Sequence, residues 1–112
     1  MSQITTHILD TSKGSPAKGV KIVLYQQQNN NWIEIGKGVT NDDGRVADLL
    51  AKETIVEFGI YKLLFDTKTY FDTINVQAFY PFVEIAFEIK TTAHYHVPLL
   101  LNPFGYSTYR GS

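Results

Sequence analysis

Val83-Glu84-Ile85-Ala86-Phe87-Glu88-Ile89-Lys90 places Val83, Ile85, Phe87 and Ile89 on one side, and Glu84, Ala86, Glu88 and Lys90 on the other. A period of two is that of a β-strand with one face buried. Ile60 to Phe65 reads as a second strand. Between them, Thr67-Lys68-Thr69-Tyr70-Phe71-Asp72-Thr73-Ile74 carries apolar residues at helical spacing, with Asp66 or Thr67 as N-cap. Upstream, Val20, Ile22 and Leu24 alternate with Lys21, Val23 and Tyr25 as far as Gln26-Gln27-Gln28. The Asn29-Asn30-Asn31 turn and a returning strand from Trp32 to Ile35 make this a hairpin. Asn41-Asp42-Asp43-Gly44 is a further turn, with Gly44 supplying the positive φ that tight turns need. Short strands separated by turns predict an antiparallel sandwich.

Length and composition set the outer limits. A chain of 112 residues predicts one domain, and 44% apolar residues with seven Tyr and seven Phe suffice for a core. The net charge is −1 with the signs interspersed, so no basic face for nucleic acid is expected. Cysteine is absent, which excludes disulfides, thiolate metal sites and cysteine nucleophiles. No stretch approaches the roughly 20 apolar residues of a membrane span. Met1 to His7 has neither a basic nor an apolar signal region, so a soluble, cytoplasmic protein with no membrane partner is expected.

All three histidines lie in the two terminal strands. In Ile4-Thr5-Thr6-His7-Ile8-Leu9, Ile4 and Ile8 share one face, and Thr5, His7 and Leu9 the other. In His94-Tyr95-His96-Val97-Pro98-Leu99-Leu100-Leu101, His94, His96, Pro98 and Leu100 share a face opposite Val97, Leu99 and Leu101. Pro98 cannot donate to a ladder, which predicts an edge or a bulge there. Imidazole, with an ordinary pKa of about 6.5, suits general acid–base work near neutrality. Single histidines of this kind are often only solvated, but three on matching faces favour a site. His94, His96 and His7 could instead be a three-histidine metal site. Arg45 could clamp a carbonyl or carboxylate through its planar fork, or simply be a solvated hairpin arginine. Tyr109-Arg110-Gly111-Ser112, following the aromatic and glycine-punctuated 102–108 stretch, predicts a tail folded back into a site, while Tyr109 and Arg110 taken alone read more often as plain strand-end residues. Ser112 lies in no nucleophile elbow, so a serine hydrolase is disfavoured.

The chain resembles the transthyretin-like family, and within it the 5-hydroxyisourate hydrolases. The resemblance is carried by Thr6-His7-Ile8-Leu9-Asp10-Thr11, Gly14 to Val20, Thr40-Asn41-Asp42-Asp43-Gly44-Arg45, Tyr61 to Thr67, Phe79-Tyr80-Pro81 and His94 to Ser112. The terminal Tyr-Arg-Gly-Ser separates these hydrolases from the thyroid-hormone carrier, which shares the sandwich but lacks the histidines and the tail. Asn102 and Phe104 depart from the family's usual serine and tyrosine in the turn before the tail.

The resemblance implies a transthyretin-like antiparallel β-sandwich of about eight strands with one short helix, a single domain over residues 1–112. It implies hydrolysis of 5-hydroxyisourate to 2-oxo-4-hydroxy-4-carboxy-5-ureidoimidazoline, a step of urate degradation, by opening of the six-membered ring at a cyclic amide. His7, Arg45 and His96 match the catalytic positions, and Tyr109 and Ser112 the substrate-binding tail; His94 matches the other histidine of the His-Tyr-His motif. A homotetramer built as a dimer of dimers is implied, with the sites at the dimer–dimer interface and with no metal and no cofactor. The alternatives are a non-catalytic carrier of a small ligand, or a sandwich serving only as an interaction domain.

Overall fold

The computed structural model describes residues 2–112. Its elements are β1 (Ile4–Asp10), β2 (Ser15–Pro16), β3 (Lys21–Gln28), β4 (Asn31–Val39), β5 (Arg45–Val46), β6 (Gly59–Phe65), α1 (Thr67–Thr73), β7 (Val83–Ile89), β8 (Tyr95–Asn102) and β9 (Gly105–Thr108). One sheet runs β2-β1-β8-β9, with β5 also paired to β1, and the other runs β4-β3-β6-β7.

The alternation read from β7 is realised. Val83, Ile85 and Ile89 are buried, while Glu84, Ala86 and Glu88 are exposed. The same rule sends Ile4 and Ile8 of β1, Tyr95, Val97, Leu99 and Leu101 of β8, Ile22 and Leu24 of β3, and Tyr61, Leu63 and Phe65 of β6 into a common core. Each such aliphatic or aromatic side chain contributes about 1.5–3 kcal/mol on burial. The outer face of the first sheet is left with Thr5, His7 and Leu9 from β1, and His96, Pro98 and Leu100 from β8.

Three details differ from the sequence expectation. The β3–β4 hairpin is longer than predicted: Gln26, Gln27 and Gln28 pair with Ile33, Trp32 and Asn31. The turn narrows to Asn29 and Asn30, whose φ values of 49° and 68° suit asparagine in a two-residue hairpin loop. The contact between β1 and β8 is parallel, running from Ile4↔Tyr95 to Asp10↔Leu101. Parallel neighbours require a long crossover, and here the entire second sheet lies between them in the chain.

Pro98 is the third. It is buried in β8, an interior strand flanked by β1 and β9, rather than on a sheet edge. The ladder with the C-terminal segment pairs Leu99 with Thr108, lapses, and resumes at His96↔Gly111 in the same register. Pro98 therefore faces Tyr109, where its missing N–H removes one rung, and its carbonyl accepts instead from Thr108 Oγ1 at 2.7 Å.

α1 begins where Asp66 accepts a hydrogen bond from the Thr69 amide, as an N-cap should. The helix is pinned to β1 by Tyr70, whose hydroxyl donates to Asp10 Oδ2 at 2.7 Å. Asp10 is fully buried, and its Oδ1 accepts from the Ser12 amide, the Ser12 hydroxyl and the Lys13 amide. Burial, reinforced by Asp10, pushes the Tyr70 phenol far above its ordinary pKa. Among the described residues no helix is long and apolar enough to cross a membrane.

Candidate active site

The parallel β1–β8 register places the histidines. Thr5 stands beside His96 and His7 beside Pro98, all on the outer face. On the other side of β1, Arg45 is paired with His7. Arg45 is held there by its turn: Asn41 Oδ1 accepts from the Asp43 and Arg45 amides, and the Asn41 amide donates to the Arg45 carbonyl. Gly44 adopts φ +71°, its carbonyl accepts from the Ile8 amide, and a Cβ there would strike the Ile8 carbonyl oxygen. Glycine is thus required both for the turn and for its approach to β1.

Two imidazoles converge on one hydroxyl. Thr5 Oγ1 lies 2.8 Å from His94 Nε2 and 2.8 Å from His96 Nδ1. The two rings stack with centroids 6.3 Å apart and planes 27° apart. The tail is tied to the same place: the Gly111 amide donates to the His96 carbonyl at 2.9 Å. Beyond it, Ser112 joins Thr5, Arg45, His94 and His96 around a shallow pocket of about 310 Å³. On the far side of the tail the Arg110 guanidinium sits 4.3 Å from the Tyr95 ring centroid, a cation–π contact that braces the last turn of chain.

Both half-buried histidines are biased towards neutrality. Burial lowers the His7 pKa below its usual value, Arg45 lowers it further and Asp43 opposes. Burial also lowers that of His96, followed by the positive fields of Arg45, His94 and His7, with Thr5 acting the other way. A neutral imidazole beside a guanidinium is the pairing needed to take a proton from water while negative charge develops on a nearby oxygen.

Of the residues expected from sequence, Arg45, His96 and Ser112 share the pocket, and His94 joins them. His7 is set next to Arg45 and Pro98 but does not line that pocket. Tyr109 is 58% exposed and borders a separate groove of about 580 Å³ with Tyr95, His96 and Arg110. Thr5 is the residue that sequence reading passed over. Alternation puts it on the histidine face, but its role depends on the parallel register. Among the described residues no three His, Cys, Asp or Glu side chains are arranged to hold a metal ion, so the three-histidine metal alternative finds no such arrangement.

The chain is 50% identical over 112 residues to a probable 5-hydroxyisourate hydrolase of Caenorhabditis elegans, covering 99% of this chain and 82% of that one. It is 46% identical over 114 residues to the 5-hydroxyisourate hydrolase of Mus musculus, covering 99% and 96%. Among solved structures, the Klebsiella pneumoniae 5-hydroxyisourate hydrolase matches with a TM-score of 0.82 and 36% identity, over 97% of this chain and 92% of that one. Sea bream transthyretin in complex with thyroxine matches with a TM-score of 0.91 and 31% identity, over 98% and 95%. Residues 4–111 match the HIUase/Transthyretin family, and the chain belongs to it.

Proposed function

We propose that this chain, acting as a single domain over residues 1–112, hydrolyses 5-hydroxyisourate. The reaction opens the six-membered ring at its cyclic amide to give 2-oxo-4-hydroxy-4-carboxy-5-ureidoimidazoline, a step of urate degradation. The observation that carries this reading is the meeting of Arg45, His96 and Ser112 around one pocket, with the Thr5-linked His94 beside them. A carrier of an apolar ligand has no use for such a cluster, since ionisable groups beside that ligand cost desolvation energy. The backbone likeness to transthyretin fits either activity; the side chains favour hydrolysis.

Amide hydrolysis needs an activated water, stabilisation of the tetrahedral oxyanion, and a proton for the leaving nitrogen. The neutral His7–His96 pair supplies the base and then the acid. Arg45, with its fork of N–H donors, holds the carbonyl side and the charge that develops there. Tyr109 and Ser112 orient the planar substrate. No metal or cofactor takes part, so a chelator leaves the rate unchanged.

The outer face of the histidine sheet also carries the half-buried Leu9 and Leu100, an apolar rim that suits contact with another copy. We place the site at the dimer–dimer interface of a homotetramer, which sedimentation or light scattering tests directly. We also assign the chain to the cytoplasm.

The decisive experiment follows the ultraviolet decay of freshly generated 5-hydroxyisourate with wild type beside His96→Asn. Acceleration by wild type that the variant loses supports hydrolysis through His96. Equal acceleration by both removes His96 from the chemistry. No acceleration by folded wild type discards the hydrolase and brings the carrier reading forward.

A further inference from the structure

Thr5 contributes one hydroxyl to two imidazoles, and that hydroxyl has one proton. It can donate to His94 Nε2 or to His96 Nδ1, never to both, so at least one ring must bring an N–H to it. Besides the case in which both rings donate to the oxygen, two arrangements have Thr5 donating to one ring and accepting from the other. In one, His96 Nδ1–H donates to Thr5 and Thr5 donates to His94 Nε2, leaving the other nitrogen of His96 with a free lone pair. In the other, His94 Nε2–H donates to Thr5 and Thr5 donates to His96 Nδ1, so His96 carries its proton on Nε2. The first is the basic form of His96, the second its acidic form.

The surroundings differ at the two ends. Thr5 is buried, His96 is half-buried and His94 is exposed. Positive charge on His96 is disfavoured by its burial and by Arg45 beside it, whereas His94 at the strand mouth can be solvated. The β1–β8 ladder sets Thr5 beside His96, so the sheet register brings the hydroxyl and that imidazole together.

We propose that Thr5 is a positioning residue linking His96 to His94, and that the pair sets the tautomer of His96 and moves its charge outward during turnover; this rests on the hydrolase reading above. When His96 Nε2 takes a proton from water, its Nδ1 proton passes to the Thr5 oxygen as the Thr5 proton passes to His94 Nε2. His96 is then neutral with its proton on Nε2, Thr5 is again a hydroxyl, and the positive charge is on His94. Running the same two transfers backward as His96 Nε2–H protonates the leaving nitrogen restores the starting state. Atoms and charge balance without any further reagent. His94 thereby has a function distinct from that of the base itself.

The test compares wild type with Thr5→Val, Thr5→Ser and His94→Ala. Thr5→Val keeps the branched shape and removes the proton. It should lower kcat about tenfold to a hundredfold with KM unchanged, while Thr5→Ser restores most of the rate. His94→Ala, at an exposed position, should lose rate in dilute buffer and regain it with added imidazole. Thr5→Val turning over like wild type, or His94→Ala indifferent to imidazole, overturns the link.

A readout independent of turnover is the ring-nitrogen NMR of His94 and His96. In folded Thr5→Val both rings should shift their tautomer balance together; a change in neither overturns the proposal. Wild type inert towards 5-hydroxyisourate would count against the hydrolase reading, and the NMR comparison would still decide the coupling.

Discussion

Gly111 lies against His96 so closely that a Cβ added to it would stand 2.6 Å from the His96 Cδ2 and 3.1 Å from the Pro98 Cγ. Its amide also donates to the His96 carbonyl at 2.9 Å. The tail and the histidine strand are thus matched by the absence of a single methyl group. Gly111→Ala should push the tail off His96 and displace Ser112 from the pocket. The expected result is a fall in kcat/KM on the order of tenfold, with stability changed by less than about 0.5 kcal/mol because the position is terminal. The ultraviolet assay beside a thermal melt checks both halves.

Arg45→Lys keeps the charge next to His7 but loses the planar fork. Turnover should fall by on the order of tenfold or more while the melting temperature stays put. Unchanged turnover would remove the clamp.

The depressed pKa values of His7 and His96 set a pH dependence. If neutral imidazole is the base, activity should persist below pH 6.5 before its acid limb falls. Arg45→Gln removes a cation that lowers both values, so its acid limb should move to higher pH. Stability follows the same linkage. The unfolded histidines bind protons near pH 6.5 and the folded ones only lower, so stability is full above 6.5 and declines as the pH falls through the folded values. A urea titration across pH 5 to 8 tests that sign.

Tyr70→Phe leaves the buried Asp10 carboxylate without one of its donors. The cost should be about 1–3 kcal/mol in chemical denaturation. The histidine sheet's chemistry should survive in the folded fraction, since no residue of α1 lines the pocket.

Thr67 Oγ1 is buried without a hydrogen-bond partner among the described residues. Replacing it with the isosteric valine should be neutral or stabilising by up to about 1 kcal/mol. A thermal melt showing marked destabilisation would mean that the hydroxyl has a partner after all.

The sequence by itself determined which residues face inward. Alternation in Val83–Lys90 and in the two histidine strands follows from the pleat, a local property of the backbone. It also marked the Asn41–Gly44 turn, the Asp66 cap and the shared face of His94 and His96, each a matter of a few neighbouring residues. What tertiary structure decided is which strands lie side by side. Nothing local states that β1 runs parallel to β8, because that pairing joins residues some 90 positions apart, as in Thr5 with His96. The pairing of β8 with the tail turned Pro98 from an edge marker into a missing rung opposite Tyr109. The β1–β8 register turned Thr5, which the sequence marks only as sharing the His7 face, into the hydroxyl shared by two histidines. Period is written in neighbouring residues; register is settled only when distant strands compete for one another's hydrogen bonds and bury their faces together.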